Sequence, residues 1–289
     1  GRQQRGDYQM KKIGFIDYYI SEWHANNYPL WIKEVCEESG KDFKGAYAYA
    51  ELDRSPVDGR TTDEWCEAFG VEKCDTIEEL CEKSDYIMIL SPSNPETHLK
   101  YAEAALKFGK NTYIDKTFAP DYSTAKKIFD IAEKYGTKFF STSALRCAPE
   151  NDSIKNCVSA VLTGGGENFD EYIIHEIERA VKIMGIGAKR VKVESQTEAQ
   201  ICRIDYGDGK TATLVYSYAL PAAAAYCDAD GNRGYVKIES DFFRNLMRRI
   251  IEFYENGKPF FDVNETLEVM KIREKLIQGK EKDGKWIAI

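Results

Sequence analysis

Short apolar runs alternate with longer amphipathic stretches along the first half of the chain. The runs Lys12–Asp17 (KIGFID), Phe43–Leu52, Val71–Asp75, Tyr86–Leu90, Thr112–Ile114 and Thr137–Ser141 predict strands. Between them, helices are predicted from about Trp23 or Ala25 through Trp31 to Cys36, over Thr61–Gly70 and over Thr76–Lys83. Thr76 and Glu79 have capping-box spacing. A further helix carries Leu99, Ala102, Leu106 and Phe108 and stops at Gly109. Another, Asp121–Gly136, lines up Ala125, Ile128, Phe129 and Ala132 on one face. Strand–helix–strand units of this length join parallel strands by right-handed crossovers. The expectation is a doubly wound α/β domain over residues 11–145. In such sheets the ligand crevice lies beyond the carboxyl ends of the strands. The Ser91–Pro95 loop and Lys116 both fall at such ends.

The second half reads differently. A helix is predicted over Asn151–Leu162, then Gly164-Gly165-Gly166 as a loop over the crevice. Because that triplet follows a predicted helix and not a strand, a phosphate cradle is not expected. In the next helix Glu171, His175 and Glu178 fall at i, i+4 and i+7, on one face. Strand character follows at Arg190–Glu194, Ala199–Tyr206, Thr211–Ser217 and Gly234–Glu239, with a hairpin signal at Tyr206–Lys210. Asp241–Tyr254 and Asn264–Gln278 read as helices, and Lys285–Ile289 as a short strand. Consecutive strands predict a largely antiparallel sheet, so residues 146–289 form an α+β domain after a crossing at Ser141–Pro149.

Composition narrows the function. The 289 residues are 43% hydrophobic and 30% charged, an ordinary globular balance. The net charge of -8 comes from dispersed acids, which argues against nucleic acid as a partner. No apolar run approaches the roughly 20 residues needed to span a membrane. Met10-Lys11-Lys12 is expected to be the natural start, with residues 1–9 an added leader lacking a signal-peptide core. Eight cysteines without a CxxC pair read as reduced thiols of a cytoplasmic protein.

One stretch carries a resemblance. Tyr86–Thr117 reads YIMILSPSNPETHLKYAEAALKFGKNTYIDKT. A proline-rich loop, then H-x-x-x-A-x-x-A-L-x-x-G-K, then a strand ending in acid-Lys resembles the glucose–fructose oxidoreductase/inositol dehydrogenase (Gfo/Idh/MocA) family. His98, Ala102, Ala105, Leu106, Gly109, Lys110, Asp115 and Lys116 match; Asp115 stands for the usual Glu and Thr117 for the usual proline. The resemblance implies a Rossmann-type domain that binds NAD, with NADP less favoured, and an acid–base Lys116 at the reacting carbon. It also implies a helical His175 facing the substrate, with Glu171 and Glu178 matching the family's two acids. The expected substrate is a sugar, polyol or cyclitol, and a homodimer or homotetramer is expected. Cofactor contacts are expected from Asp17, Tyr18, Ser21, His24, Asn26, Ser91, Pro92, Asn94, His98, Asp115 and Lys116. Glu51, with Asp53 in reserve, would take the ribose hydroxyls, which favours NAD. Arg146 and Glu178 are expected to face the substrate. No metal is expected.

The departure is Tyr18–Asn27, which contains no glycine. A dinucleotide loop uses glycines for its tight turn and for close backbone approach to the pyrophosphate. The helix N-terminus, with Ser21, Asn26 or Asn27 as donors, could still hold a phosphate. Two functions therefore stand. One is an NAD(P)-dependent oxidoreductase in which Lys116 and His175 move the hydroxyl proton and Glu171 orients the imidazole. The other is a regulatory sugar-binding protein that has kept the scaffold and lost the dinucleotide. A metal site at Glu171, His175 and Glu178 is chemically possible, but such a set on a helix face is more often an acid–base pair or a solvated surface. Neither GxSxG nor HExxH is present to support hydrolysis.

Overall fold

The computed structural model describes residues 10–289; residues 1–9, read above as a leader, lie outside the described residues. The chain divides into two compact units. The first takes residues through Ala119, then Lys126–Ser141 and Leu246–Phe260; the second takes Pro120–Ala125, Thr142–Asn245 and Phe261–Ile289.

The first unit is built on β1 (Lys11–Asp17), β2 (Phe43–Ala50), β3 (Glu72–Lys73), β4 (Tyr86–Ile89), β5 (Thr112–Ile114) and β6 (Phe139–Phe140). They form one parallel sheet in the order β3-β2-β1-β4-β5-β6. This is the doubly wound arrangement expected, with its strand order reversing between β1 and β4. Its helices are α1 (Trp23–Ser39), α2 (Thr62–Phe69), α3 (Ile77–Lys83) and α4 (His98–Ala105), with most of α5 (Tyr122–Tyr135). From Ile13 to Asp17 β1 is buried throughout, as a central parallel strand must be. Its Gly14 is demanded by packing: a Cβ there would lie 2.3 Å from Ser84 Oγ and 2.5 Å from Leu80 Cδ2. The glycine thus serves the close approach of α3 and not a ligand. The capping box forms as expected, with Thr76 Oγ1 accepting from the Glu79 N–H at 3.1 Å. Gly109 ends the α4 region at φ 70°. The late segment 246–260 is tied to this sheet. Tyr254 donates its hydroxyl to the Ile87 carbonyl at 2.7 Å, Asn111 Nδ2 donates to the Tyr254 carbonyl, and Phe253 packs edge-on against Phe140.

The second unit holds β7 (Cys157–Gly164), β8 (Arg190–Gln196), β9 (Ala199–Gly207), β10 (Lys210–Ser217), β11 (Ala223–Asp228), β12 (Arg233–Lys237) and β13 (Ile287–Ala288). They lie in the order β12-β11-β7-β10-β9-β8-β13, antiparallel except for the β7–β10 pair. Helices α6 (Phe169–Met184) and α8 (Asn264–Lys280) bury Ile173, Ile177, Val181, Val269 and Leu276; α7 (Phe242–Asn256) belongs to the first unit from Leu246 onward.

One predicted element is corrected, and one strand appears where none was predicted. Residues 151–162 do not form a helix: a 3-10 turn, Pro149–Ser153, leads into strand β7. Its β-branched Val158 and Val161 and its two flanking partners outweigh the helix-prone Ala160 and Leu162. The alanine-rich β11 carries no strand signal and forms because β7 and β12 flank it. Among the described residues no helix is long and apolar enough to cross a membrane.

Candidate functional site

The turn after β1 lies at the reversal of strand order, and the chain's own side chains fill it. Glu22 is the N-cap of α1. Its Oε2 accepts from the His24 N–H at 2.7 Å and its Oε1 from the Ala25 N–H at 2.8 Å. Asp17, 1% exposed, accepts from the Tyr18 N–H at 2.8 Å and the Ser91 N–H at 3.1 Å through Oδ1. Ser91 sits at φ 53° and its Oγ accepts a second contact from the Tyr18 N–H. Asp17 Oδ2 has no N–H or hydroxyl donor; its neighbour is the Glu22 carboxyl. Two carboxyl groups can hydrogen-bond only if one keeps its proton. Burial, with Glu22 beside it, holds Asp17 well above the usual carboxylate range. Burial also raises Glu22, against the pull of His24. The candidate phosphate donors are likewise committed. Ser21 Oγ donates to Asp58 at 2.6 Å, Asn26 Oδ1 accepts from Trp65 Nε1, and Asn27 Nδ2 donates to the Trp23 carbonyl.

The end of β5 presents Asp115 and Lys116. Asp115 is buried against His24 Nδ1 and accepts from the Tyr113 hydroxyl at 3.0 Å and the Lys116 N–H at 2.9 Å. Burial works to raise its pKa, but His24 and Lys116 outweigh it and hold the carboxylate below its ordinary range. Tyr28 OH also reaches His24 Nδ1, at 2.9 Å. Lys116 is half-buried and its peptide bond to Thr117 is cis. His98 was expected at the cofactor; it is fully buried, with Nδ1 2.9 Å from the Phe118 carbonyl and Nε2 2.6 Å from that of Leu90. Burial lowers its pKa, and it ties two loops together instead of meeting a ligand. Asn94 Nδ2 donates to Glu96, in the same loop as Pro92. Glu51 accepts from Lys100 Nζ at 2.9 Å and the Tyr101 hydroxyl at 3.1 Å, and Lys100 lowers its pKa. Asp53 is exposed.

In the second unit Arg146 and Glu178 do not face a substrate. Arg146, 1% exposed, reaches Glu178 Oε2 at 2.7 Å and Glu265 Oε1 at 3.0 Å, and its guanidinium lies 4.1 Å from the Phe261 ring centre. Burial raises the Glu178 pKa and Arg146 opposes it. The two expected substrate contacts are thus each other's buried partners. His175 is half-buried, with Nδ1 2.5 Å from Ser143 Oγ, which also accepts from the Leu145 N–H. Glu171 is exposed in the first turn of α6, where Asn168 caps its N–H.

A cavity of about 390 Å³ opens beside His175, lined among others by Gly165, Tyr172, Glu176, Arg179 and Tyr218. The triple glycine does follow a strand, contrary to expectation, yet it is no phosphate cradle. A Cβ on Gly164 would lie 2.7 Å from Glu176 Oε1, and one on Gly165 within 2.9 Å of the Ser217, Tyr218 and Leu220 carbonyls. A carboxylate and carbonyl oxygens face these glycines, which permit packing. Glu176, 2% exposed, has no hydrogen-bond partner on either oxygen, and Arg179 has none on Nη2. Burial pushes Glu176 well up, opposed by Arg179, and lowers Arg179 to about 10. Neither residue was singled out in the sequence, because nothing local marks a Glu and an Arg on this helix as buried.

Residues 49–143 match the family model described as oxidoreductase family, NAD-binding Rossmann fold (GFO_IDH_MocA). Over that third of the chain the resemblance to the Gfo/Idh/MocA family is borne out. The uncharacterized oxidoreductase YhhX of Escherichia coli is 30% identical over 60 residues, which cover 21% of this chain and 17% of that protein's length. A probable dehydrogenase from Thermotoga maritima shares the fold at TM-score 0.76 and 14% identity, over 96% of this chain and 98% of its own. A putative myo-inositol dehydrogenase from Sinorhizobium meliloti does so at 0.73 and 15%, over 97% and 100%.

For a Gfo/Idh/MocA protein the dinucleotide's pyrophosphate is held at the first helix N-terminus. In this chain the first free amides of α1 are bonded to Glu22, and a second buried carboxyl, Asp17, stands beside it. The residues present do not fit a pyrophosphate at that place.

Proposed function

We propose that this oxidoreductase-family chain binds a neutral polyhydroxylated small molecule, a sugar, polyol or cyclitol, through the cavity beside His175. The observation that carries the reading is the set of buried, unpartnered polar atoms bordering it, Glu176 Oε1 and Oε2 and Arg179 Nη2. Buried polar groups without partners are rare because each costs about 1–3 kcal/mol. Hydroxyl groups answer both needs, donating to the carboxyl and accepting from the guanidinium. A cationic ligand would face the Arg179 guanidinium and is disfavoured. Tyr172 and Tyr218 in the lining supply aromatic surface suited to the apolar side of a sugar. The volume falls within the range of small-molecule sites, about 300–1,000 Å³.

A second reading retains hydride transfer, with Lys116 as the base for a substrate hydroxyl and His175 sharing the proton. What favours it is the placement of Lys116, half-buried at the end of β5 directly after the buried Asp115. The two readings part at nucleotide binding.

Screening neutral hexoses, polyols and cyclitols by thermal melting, then by calorimetry, tests the first reading. At least one is expected to bind, and Glu176→Gln to weaken it by roughly tenfold at most, as for loss of one hydrogen bond to a neutral group. A folded Glu176→Gln protein with unchanged affinity, or binding confined to sugar acids and phosphates, overturns it.

A further inference from the structure

We infer that this chain takes no dinucleotide at the end of β1, because Glu22 is a built-in anion occupying the seat of the pyrophosphate. A phosphate at a helix N-terminus is held by the free N–H groups of the first turn and by the positive end of the helix dipole. Both are already used. The Glu22 carboxylate spans the His24 and Ala25 N–H groups with its two oxygens at 2.7 and 2.8 Å, in the bidentate manner a phosphate would adopt. It is 5% exposed, so it is an internal part of the turn and not a surface side chain that swings freely.

The surroundings reinforce the exclusion. Asp17 closes the end of β1, buried and held by the Tyr18 and Ser91 N–H groups. These are two more backbone donors at the strand ends turned inward to a carboxyl. Ser21, Asn26 and Asn27 are bonded within the fold. A pyrophosphate carrying two negative charges would have to displace the Glu22 carboxylate from the His24 and Ala25 N–H groups and then lie beside that expelled charge and the Asp17 carboxyl, whose own backbone donors stay committed. Glycine-rich loops avoid this by presenting bare backbone. Here the Tyr18 N–H is bonded to Asp17 and Ser91, the Ser21 hydroxyl to Asp58, and the Glu22 carboxyl to the first amides of the helix. The scaffold of a dinucleotide enzyme is thereby retained while its phosphate site is sealed from within.

The test is titration of the full chain, freed of carried-over nucleotide, with NADH and with NADPH, read by nicotinamide fluorescence and by heat. The wild-type protein is expected to show no saturation up to millimolar concentration. Micromolar binding of either nucleotide overturns the inference. A companion variant, Asp17→Asn with Glu22→Ser, keeps an N-cap hydroxyl and a side-chain acceptor while removing both carboxyl groups. This variant is expected to gain measurable binding of NADH or of inorganic pyrophosphate. If it is folded by circular dichroism and stays as blind as the wild type, the carboxyl pair is not the cause and the inference falls. Neither outcome bears on the sugar-binding reading, which stands or falls on the Glu176→Gln titration in the other unit.

Discussion

Glu176 has two carboxyl oxygens in a buried setting and no protein donor for either. Such a group is raised in pKa on folding, so the folded chain holds a proton that the unfolded chain releases. The stabilising share of that proton is present below the unfolded value near 4.5 and is lost as pH climbs toward the raised folded value. Glu176→Gln cannot lose it. Denaturant titrations across a pH series should therefore show the variant gaining on the wild type as pH rises from about 4.5 upward. A gap that stays constant with pH would mean that Glu176 is ionised and satisfied in the folded protein. At this scale the sequence was only partly legible. Lys116, Asp115 and His24 were visible because each sits at the end of a predicted strand or the start of a predicted helix. Arg146 and Glu178 were visible but misassigned, since their pairing joins positions 32 residues apart with no local mark. Glu22 was passed over because the missing glycines are apparent from the letters, while the side chain that takes their ligand's place is not.

Among the elements, the parallel strands were easiest to find, because burial on both faces writes them as continuous apolar runs. β7 was misread for the opposite reason. Its burial alternates imperfectly, and Ala160 and Leu162 suit a helix as well as a strand. What decides is the ladder it makes with β10 on one side and β11 on the other. The glycine of β1 was visible, but its use was not: α3 approaches there so closely that Leu80 and Ser84 would collide with any side chain. Gly14→Ala should destabilise the first unit by about 1–3 kcal/mol, as overpacking of a filled core does. Equilibrium unfolding would register this as a lower midpoint. An unchanged midpoint would show that α3 can back away from β1, and that the contact is not tight.

For the whole molecule, the second unit depends on Arg146 as its internal cross-link. One guanidinium joins the 3-10 turn Ala144–Cys147, α6 through Glu178 and α8 through Glu265, with Phe261 beneath it. Removing one partner of a buried pair leaves an uncompensated charge, which typically costs about 3–5 kcal/mol. Arg146→Ala should therefore lower the unfolding transition of this unit far more than any change at exposed Glu171. Similar losses at the two positions would show that Arg146 contributes no more than a surface group. The order of the chain has a consequence for synthesis as well. Tyr254 and Phe253, which bond and pack onto β4 and β6, arrive from the ribosome after almost the whole second sheet. Vectorial folding would normally finish an N-terminal Rossmann sheet first. Here the earliest-made strands must wait for residues 246–260, so the opening half of the protein is among the last parts to be completed.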